Sequence, residues 1–243
     1  MKKNAYVEMF DNEIDHGWYM GTRKLAVKTI EKLIGKKAKI LDLGCGTGGT
    51  MKYLGLCGYS NIYGIDNSKH AIDFCKKRRI KNVRLGNANK IPFGDKSFDA
   101  VICLDVLYHK DVDLKKAPEE IFRVLKKGGV LYSQEPAYNW LKSKHDEAIE
   151  TRKRFTKSEL SDIFIKSNFT QIKASYFNML LALPIFVSRI KGKLIKSSDK
   201  KSDVRKMPKL INNLIYLSLL IETYLFTFFV FPVGISIVSV WKK

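Results

Sequence analysis

Apolar positions recur along this chain in two alternating rhythms. In YMGTRKLAVKTIEKLIG they return every three or four residues, which predicts a helix from Tyr19 to Ile34 stopped by Gly35. AKILDL, residues 38–43, is a continuous apolar run and predicts a buried strand. The alternation then repeats. A helix containing Met51, Tyr53 and Leu54 precedes the strand NIYGID (61–66), and the helix SKHAIDFCKKRR (68–79), with Ser68 as its N-cap, precedes the strand NVRLGN (82–87). After the turn PFGDKS come the strand FDAVICLDV (98–106), the helix APEEIFRVLKKGG (117–129) closed by glycine, and the strand VLYSQEP (130–136). TKSELSDIFIKSN (156–168) predicts a helix, FTQIKASYF (169–177) a sixth strand and ISIVSVW (235–241) a seventh. Strands without polar alternation, separated by helices, imply an α/β three-layer sandwich whose mostly parallel sheet is covered on both faces.

Nearly sixty residues separate the last two strands, far more than a hairpin needs. They include the basic, polar stretch SRIKGKLIKSSDKKSDVRK (188–206) and then an apolar helix. From Leu210 to Val240 the only charge is Glu222, so hydropathy alone suggests a membrane span; Pro232 and Gly234 interrupt the run, and the β-branched segment beyond them reads as a strand. The expected organisation is one domain over residues 1–243. It comprises an N-terminal helical part (1–36), a core (37–135) and an insertion between strands six and seven (177–233).

A chain of 243 residues buries a sizeable core without disulfides or metals. Its 44 Lys and Arg against 24 Asp and Glu give a net charge of +20, which attracts nucleic acid, anionic lipid head groups or acidic metabolites, or else reflects biased usage with no polyanion partner. Cys45, Cys57, Cys75 and Cys103 form no CxxC pair and no zinc spacing, so no metal is expected and the cysteines read as reduced thiols of a cytosolic protein. The N-terminal stretch is too polar for a secretory signal.

The candidate chemistry lies in KILDLGCGTGGTMKYL, residues 39–54, at the end of the first strand, where an open parallel sheet binds its ligands. Gly44, Gly46 and Gly48 allow tight turns and close backbone approach. The order G-x-G-x-G-G differs from the dinucleotide fingerprint, and the Gly-Lys-Ser/Thr of a P-loop is missing. Asp42, just before the loop, would repel a pyrophosphate and suits a cationic or zwitterionic ligand.

LDLGCGTG resembles the first motif of class I S-adenosylmethionine (SAM) dependent methyltransferases, and GIDNS, which contains Asp66 and Asn67, resembles the second. GNANKIPFGDKSFDAVICLDVLYH is similar to the third and fourth motifs of the branch that includes quinone-biosynthesis methyltransferases, and VLKKGGVL to the family's helix, turn and fifth strand. The likeness is tight over residues 37–135. It implies a Rossmann-like, seven-stranded sheet with an antiparallel last strand and SAM as cofactor. It also implies cofactor contacts from Asp42, Gly44, Cys45, Gly46, Gly48, Asp66, Asn67, Asn87, Ala88 and Asp105. Asp66 would accept the ribose hydroxyls. Position 87 is usually Asp in the family and contacts the adenine amino group beside the backbone of Ala88; Asn87 keeps an acceptor and removes a charge. HGWYMGTRK and the C-terminal segments resemble, more weakly, methyltransferases found with glycan and lipid assembly enzymes. There the first helix lids the cofactor site and the last insertion shapes the acceptor pocket. By that likeness Trp18 and Arg23 hold the cofactor's methionine end, while the group's usual His is replaced within AIETRKRF.

The implied reaction is in-line methyl transfer to a small-molecule or lipid- or glycan-linked acceptor, by a cytoplasmic protein that is free or rests on an anionic membrane surface. Alignment supplies most of the catalysis, and a base helps with a hydroxyl or ammonium acceptor. Candidate bases are His109, Glu135 and His145, with Tyr138 and Trp140 as pocket walls. Structural alternatives stand beside these: Asp42 as a loop cap, Asp66 as an ordinary helix-terminal acid, Cys45 as a packing residue, His109 and Glu135 as hydrogen-bonding or capping groups, His145 and Asp146 as a helix start, and Trp18 and Arg23 as surface residues. Two other functions remain in view. A nucleic-acid methyltransferase would use the basic surface, but no N-P-P-Y/F tetrapeptide follows strand four. The other is a non-catalytic membrane-surface protein that keeps the fold. The oligomeric state is not legible.

Overall fold

The computed structural model describes residues 3–142, 146, 150–182, 186 and 207–243. Two helices come first, α1 (Lys3–Asn12) and α2 (Gly17–Ile30). The core then alternates: β1 (Ile40–Leu43), α3 (Gly49–Leu56), β2 (Ile62–Asp66), α4 (Lys69–Lys77), β3 (Val83–Leu85), β4 (Phe98–Leu104), α5 (Lys116–Val124) and β5 (Leu125–Pro136). A single 3₁₀ turn (Asn139–Leu141), α6 (Lys157–Ile165), β6 (Thr170–Phe177), α7 (Lys209–Leu225) and β7 (Ser236–Lys242) complete the described elements.

The seven strands form one sheet in the order β3-β2-β1-β4-β5-β7-β6. β1 pairs in parallel with both β2 and β4, and β5 continues in parallel beside β4, whereas β7 runs antiparallel between β5 and β6. The antiparallel last strand is as expected. Chain order reverses between β1 and β4, and right-handed crossovers therefore send α3 and α4 to one face and α5 to the other. Central strands are sealed on both sides: Ile40, Leu41, Ala100, Val101, Ile102 and Leu131 are inaccessible to solvent. This is why their sequences show no alternation.

Three local readings are corrected. The helix expected to run on to the glycine pair stops at Val124, and Leu125 pairs with Phe98 across a register shift, so Lys126–Gly129 already belongs to β5. The packing of Leu125 against the sheet outweighs the helical propensity of the two lysines after it. Ser68 stands at the N-cap of α4 but makes no side-chain cap bond; its own N–H donates to Asp66 Oδ1 at 2.9 Å. The N-terminal part is two helices joined by a turn, where a single amphipathic pattern was legible.

α2 and α7 pack closely because two glycines on α2 leave room. A Cβ on Gly21 would lie 2.5 Å from Leu219, and one on Gly17 would strike the Asn212 carbonyl. Asn212 also caps α2, accepting from Gly17 N at 2.7 Å while its amide donates to Asp15 O at 2.8 Å. Glu222, the lone charge of the apolar run, points inward. It is fully buried and accepts from Met179 N (3.0 Å) and Leu180 N (2.8 Å), which ties the chain leaving β6 to α7. Among the described residues no helix is long and apolar enough to cross a membrane.

Glu222→Ala leaves two part-buried amides without the charged acceptor that binds them and lowers stability by about 1–3 kcal/mol. Glu222→Gln, which keeps one acceptor oxygen, loses less. Urea unfolding of the two variants and the parent measures the difference, and equal losses would assign the effect to packing alone.

Candidate functional site

The switch point between β1 and β4 gathers the glycine loop, the end of β2 and the loop after β4. Gly44 and Cys45 N–H both donate to Ile65 O at 2.9 Å, which folds the loop back over β2. Gly44, Gly46 and Gly48 all have left-handed backbones, with φ of +73°, +53° and +89°. A Cβ at Gly44 would lie 2.5 Å from Val106, and one at Gly48 would strike Ile80. The loop therefore tolerates no side chain at these turns.

Asp66 closes β2 facing that loop. Its Oδ2 accepts from Gly46 N at 3.0 Å, and its Oδ1 accepts from Ser68 N at 2.9 Å and from the Tyr6 hydroxyl at 3.2 Å. Burial raises its carboxyl above the usual range, and these three donors oppose the rise. Asp42 lies at the base of the loop, 1% exposed, and Oδ2 has no hydrogen-bond partner among the described residues. Burial first, then the charges of Glu13 and Asp66, push its carboxyl up to about 8. Arg23, on α2, is buried nearby. Nη2 donates to Ile14 O at 3.1 Å, whereas Nη1 and Nε have no hydrogen-bond partner among the described residues, and Nη1 lies 2.5 Å from where a Cβ of Gly49 would be. Cys45 is buried, and its thiol is held well above its usual pKa, first by the Cys75 thiol and then by burial. It packs and does not act as a nucleophile.

The other expected cofactor residues are placed as follows. Asn67 is exposed beside Asp66, and Ala88 is buried. Asn87 Oδ1 accepts from Asn89 N at 2.8 Å and so shapes its own turn. Trp18 packs against the small cluster of Leu141, Ala182 and Ile235 together with Tyr138 and Phe186. That places it with the segments after β5 and β6.

Of the expected bases, Glu135 is the one whose surroundings give it other work. It is fully buried at the end of β5, where Oε1 accepts from Val106 N (3.2 Å) and Leu107 N (2.9 Å) and Oε2 from Tyr108 N (3.2 Å). It anchors the loop after β4, and burial followed by the Asp105 charge raises its carboxyl well above the usual range. His109 ends the anchored segment, bridged to Thr151 through the backbone, with its ring 4.2 Å from that of Tyr108. His145 lies outside the described residues, and its neighbour Asp146 makes a two-pronged ion pair with Arg154 at 2.7 and 3.0 Å. Asp105, inside the anchored loop, adopts a left-handed φ of +54°, uncommon for a residue with a side chain. Its carboxyl is half-buried and pushed up to about 7, mainly by burial, with Arg154 opposing. Tyr138 stacks on Trp140 (5.8 Å) and Tyr176 (5.2 Å), and Trp140 meets Phe186 at 5.1 Å, an aromatic wall beyond Asp105 in chain order.

Reasoning from sequence missed Tyr6 and Met9 of the first helix, Glu13 just after it, Tyr19 of α2 and Arg78 at the C-cap of α4. The hydroxyl of Tyr19 is held protonated by burial and by the charges of Glu13 and Asp105. Spacing was the available signal for α1, since Tyr6, Met9 and Glu13 repeat at three and four residues.

Residues 41–133 match the family model described as a methyltransferase domain. A 24-methylenesterol C-methyltransferase from Arabidopsis thaliana is 31% identical over 139 residues, 52% of this chain and 37% of the plant protein. An O-methyltransferase from Aspergillus nomiae is 32% identical over 123 residues, 45% of this chain and 54% of its own. This chain thus spans roughly a third to a half of the length of these relatives. The crystal structure of a SAM-dependent methyltransferase from Archaeoglobus fulgidus superposes with a TM-score of 0.59 at 16% identity, over 92% of this chain and 94% of that one. A likeness at that identity speaks for the fold.

The Asp42 carboxyl ionises near 3.8 in the unfolded chain and about 8 when folded. Between these values the folded protein holds the extra proton, so stability falls as pH rises across that window. Asp42→Asn removes the titration. Denaturant unfolding at about pH 5 and about pH 8 will show the variant gaining on the parent at the higher pH. An equal difference at both would mean that Asp42 ionises normally.

Proposed function

From a core that is a class I SAM-dependent methyltransferase domain, we propose that this chain transfers the methyl group of SAM to an apolar small molecule or to the head of a lipid-linked acceptor. The observation that carries the cofactor assignment is the glycine cradle lying between two buried carboxylates. The loop's left-handed turns leave backbone where side chains would clash, Asp66 is aimed across it, and Asp42 carries a buried oxygen with no hydrogen-bond partner among the described residues. A ligand with hydroxyls and a positively charged end satisfies all three; a pyrophosphate satisfies none.

Asp66 would accept the ribose hydroxyls, Asp42 would balance the ammonium, and the two free donor positions of Arg23 would face the carboxylate. SAM, when bound, supplies an already activated methyl group, so the chain's task is to align an acceptor and exclude water. Asp105 is the carboxylate best placed to take a proton from a hydroxyl or ammonium acceptor, since it is half-buried and ionises near neutrality. Glu135 acts through it, by fixing the loop that presents it.

The acceptor class is read from α7. Leu210, Leu214, Leu217, Ile221, Tyr224 and Phe228 follow one another at intervals of three and four residues and are each about half exposed or more. The first five lie along α7 and Phe228 three residues past its end, one apolar stripe on a helix whose only acid faces inward. Lys28 lies 5.0 Å over the Tyr224 ring at its margin, and the chain's net charge is +20. An apolar stripe bordered by cations suits the surface of an anionic bilayer, from which a lipid-linked acceptor would be drawn.

Two experiments test these readings. In calorimetric titrations SAM binds the parent protein, Asp66→Ala weakens binding by about 10–100-fold through loss of charge-assisted hydrogen bonds, and Asp105→Asn leaves it nearly unchanged. Absence of binding to the parent ends the methyltransferase reading, and a large loss in Asp105→Asn moves that residue to the cofactor. In flotation with phosphatidylglycerol vesicles at low salt, the parent co-migrates and Leu214→Glu/Leu217→Glu does not. If the parent stays behind and sediments as a dimer broken by the same substitutions, the stripe is a self-association face and the membrane reading is wrong.

A further inference from the structure

α1 and the residue that follows it present a hydroxyl, a thioether and a carboxylate on one side, and all three rest on the glycine loop and its neighbours. Tyr6, 3% exposed, donates to Asp66 Oδ1 at 3.2 Å. Met9 places its sulfur 2.9 Å from where a Cβ of Gly46 would be, so the thioether covers the barest part of the loop. Glu13, 5% exposed and one residue past the helix, accepts from the Thr47 hydroxyl, pairs with Arg78 at 3.0 Å and lies beside Arg23 at the start of α3. Its N–H bonds to Met9 O at 2.8 Å, which continues the helical pattern and keeps the three side chains in line.

These are the groups that SAM itself would bring, in the same order: ribose hydroxyls, sulfur, amino-acid carboxylate. Tyr6 bonds to Asp66, Met9 covers Gly46 and Glu13 lies beside Arg23, three residues assigned above to the cofactor, so two sets of ligands compete for shared partners. α1 is secured by contacts outside the cradle as well. The Phe10 ring lies 4.7 Å from that of Phe74 and under the Arg78 guanidinium, which donates to Phe10 O at 2.7 Å.

We infer that α1 is a built-in competitor of the cofactor, whose Tyr6, Met9 and Glu13 occupy the cradle as stand-ins for SAM and must withdraw before SAM enters. The inference rests on the methyltransferase reading. It differs from a simple lid in sign: a lid closes over bound SAM and is stabilised by it, whereas a competitor is expelled. Apparent affinity for SAM is then lowered by the fraction of molecules in which α1 is docked, and weakening α1 raises it.

Tyr6→Phe removes the hydroxyl from Asp66 without changing the ring, and Glu13→Gln removes the charge beside Arg23 and Arg78. Each should tighten SAM binding by about 3–10-fold in calorimetry. Amide hydrogen exchange gives a readout without cofactor: residues 3–12 exchange faster in both variants, and faster in the parent once SAM is added. Weaker SAM binding in the variants, or slower exchange of α1 with SAM, overturns the competitor and makes α1 a lid. SAM binding to none of the three proteins overturns the methyltransferase reading itself, an outcome distinct from binding that the variants weaken.

Discussion

Glu13, Asp42, Asp66, Asp105 and Glu135 crowd the carboxyl edge of one sheet, where burial penalises every ionised form. Desolvation and mutual repulsion act together there, so each carboxylate needs its own remedy. Glu135 receives three backbone N–H groups and Asp66 two plus a hydroxyl. Glu13 takes a guanidinium. Asp42 has none of these for Oδ2 and holds a proton to about 8. The carboxylate left without a remedy is the one at the base of the glycine loop, and that is the charge on which the proposed cofactor assignment turns.

The same carboxylates explain what was legible in the sequence and what was not. The glycine loop and Asp66 could be read because they end two successive strands at fixed spacing, each just before a helix. Glu135 was read as a base because its residue type and strand-end position suit that role. What decides its role is the course of residues 106–108, whose amides turn toward it only in the folded chain. Glu222 posed the same difficulty. A lone acid in an apolar run suggests either a functional charge or an error of reading, and its partners are the amides of Met179 and Leu180, about forty residues earlier. The strand pattern survived because continuous burial needs no knowledge of partners. The end of α5 did not, because Leu125 chooses the sheet over the helix through a neighbour, Phe98, that local propensity cannot see.

The insertion does more than shape one end of the molecule. Through Gly17 and Gly21 it lies against α2, and through Asn212 it caps that helix. α2 carries Arg23, whose Nη1 lies against Gly49 at the start of α3. Trp18, on the same helix, reaches the cluster of Leu141, Ala182 and Ile235, with Tyr138 packed against it. One helix therefore touches both the glycine loop's helix and the aromatic wall. Close packing transmits displacement because it leaves no slack. Anything that moves α7 relative to the sheet moves the residues at both ends of the site.

α1 stands outside that rigid assembly, and this difference gives it a separate role. It is joined to α2 by a short turn and held on the core by Phe10, Arg78 and the three side chains in the cradle. Its removal exposes Asp66 and leaves Arg78 and Arg23 without the Glu13 carboxylate. A bare α1-free state leaves the Asp66 carboxylate without the Tyr6 hydroxyl and the Arg78 guanidinium without the Glu13 carboxylate. In the exchange proposed above, a bound zwitterion re-satisfies the partners that the departing helix leaves, so arrival of one ligand is tied to departure of the other.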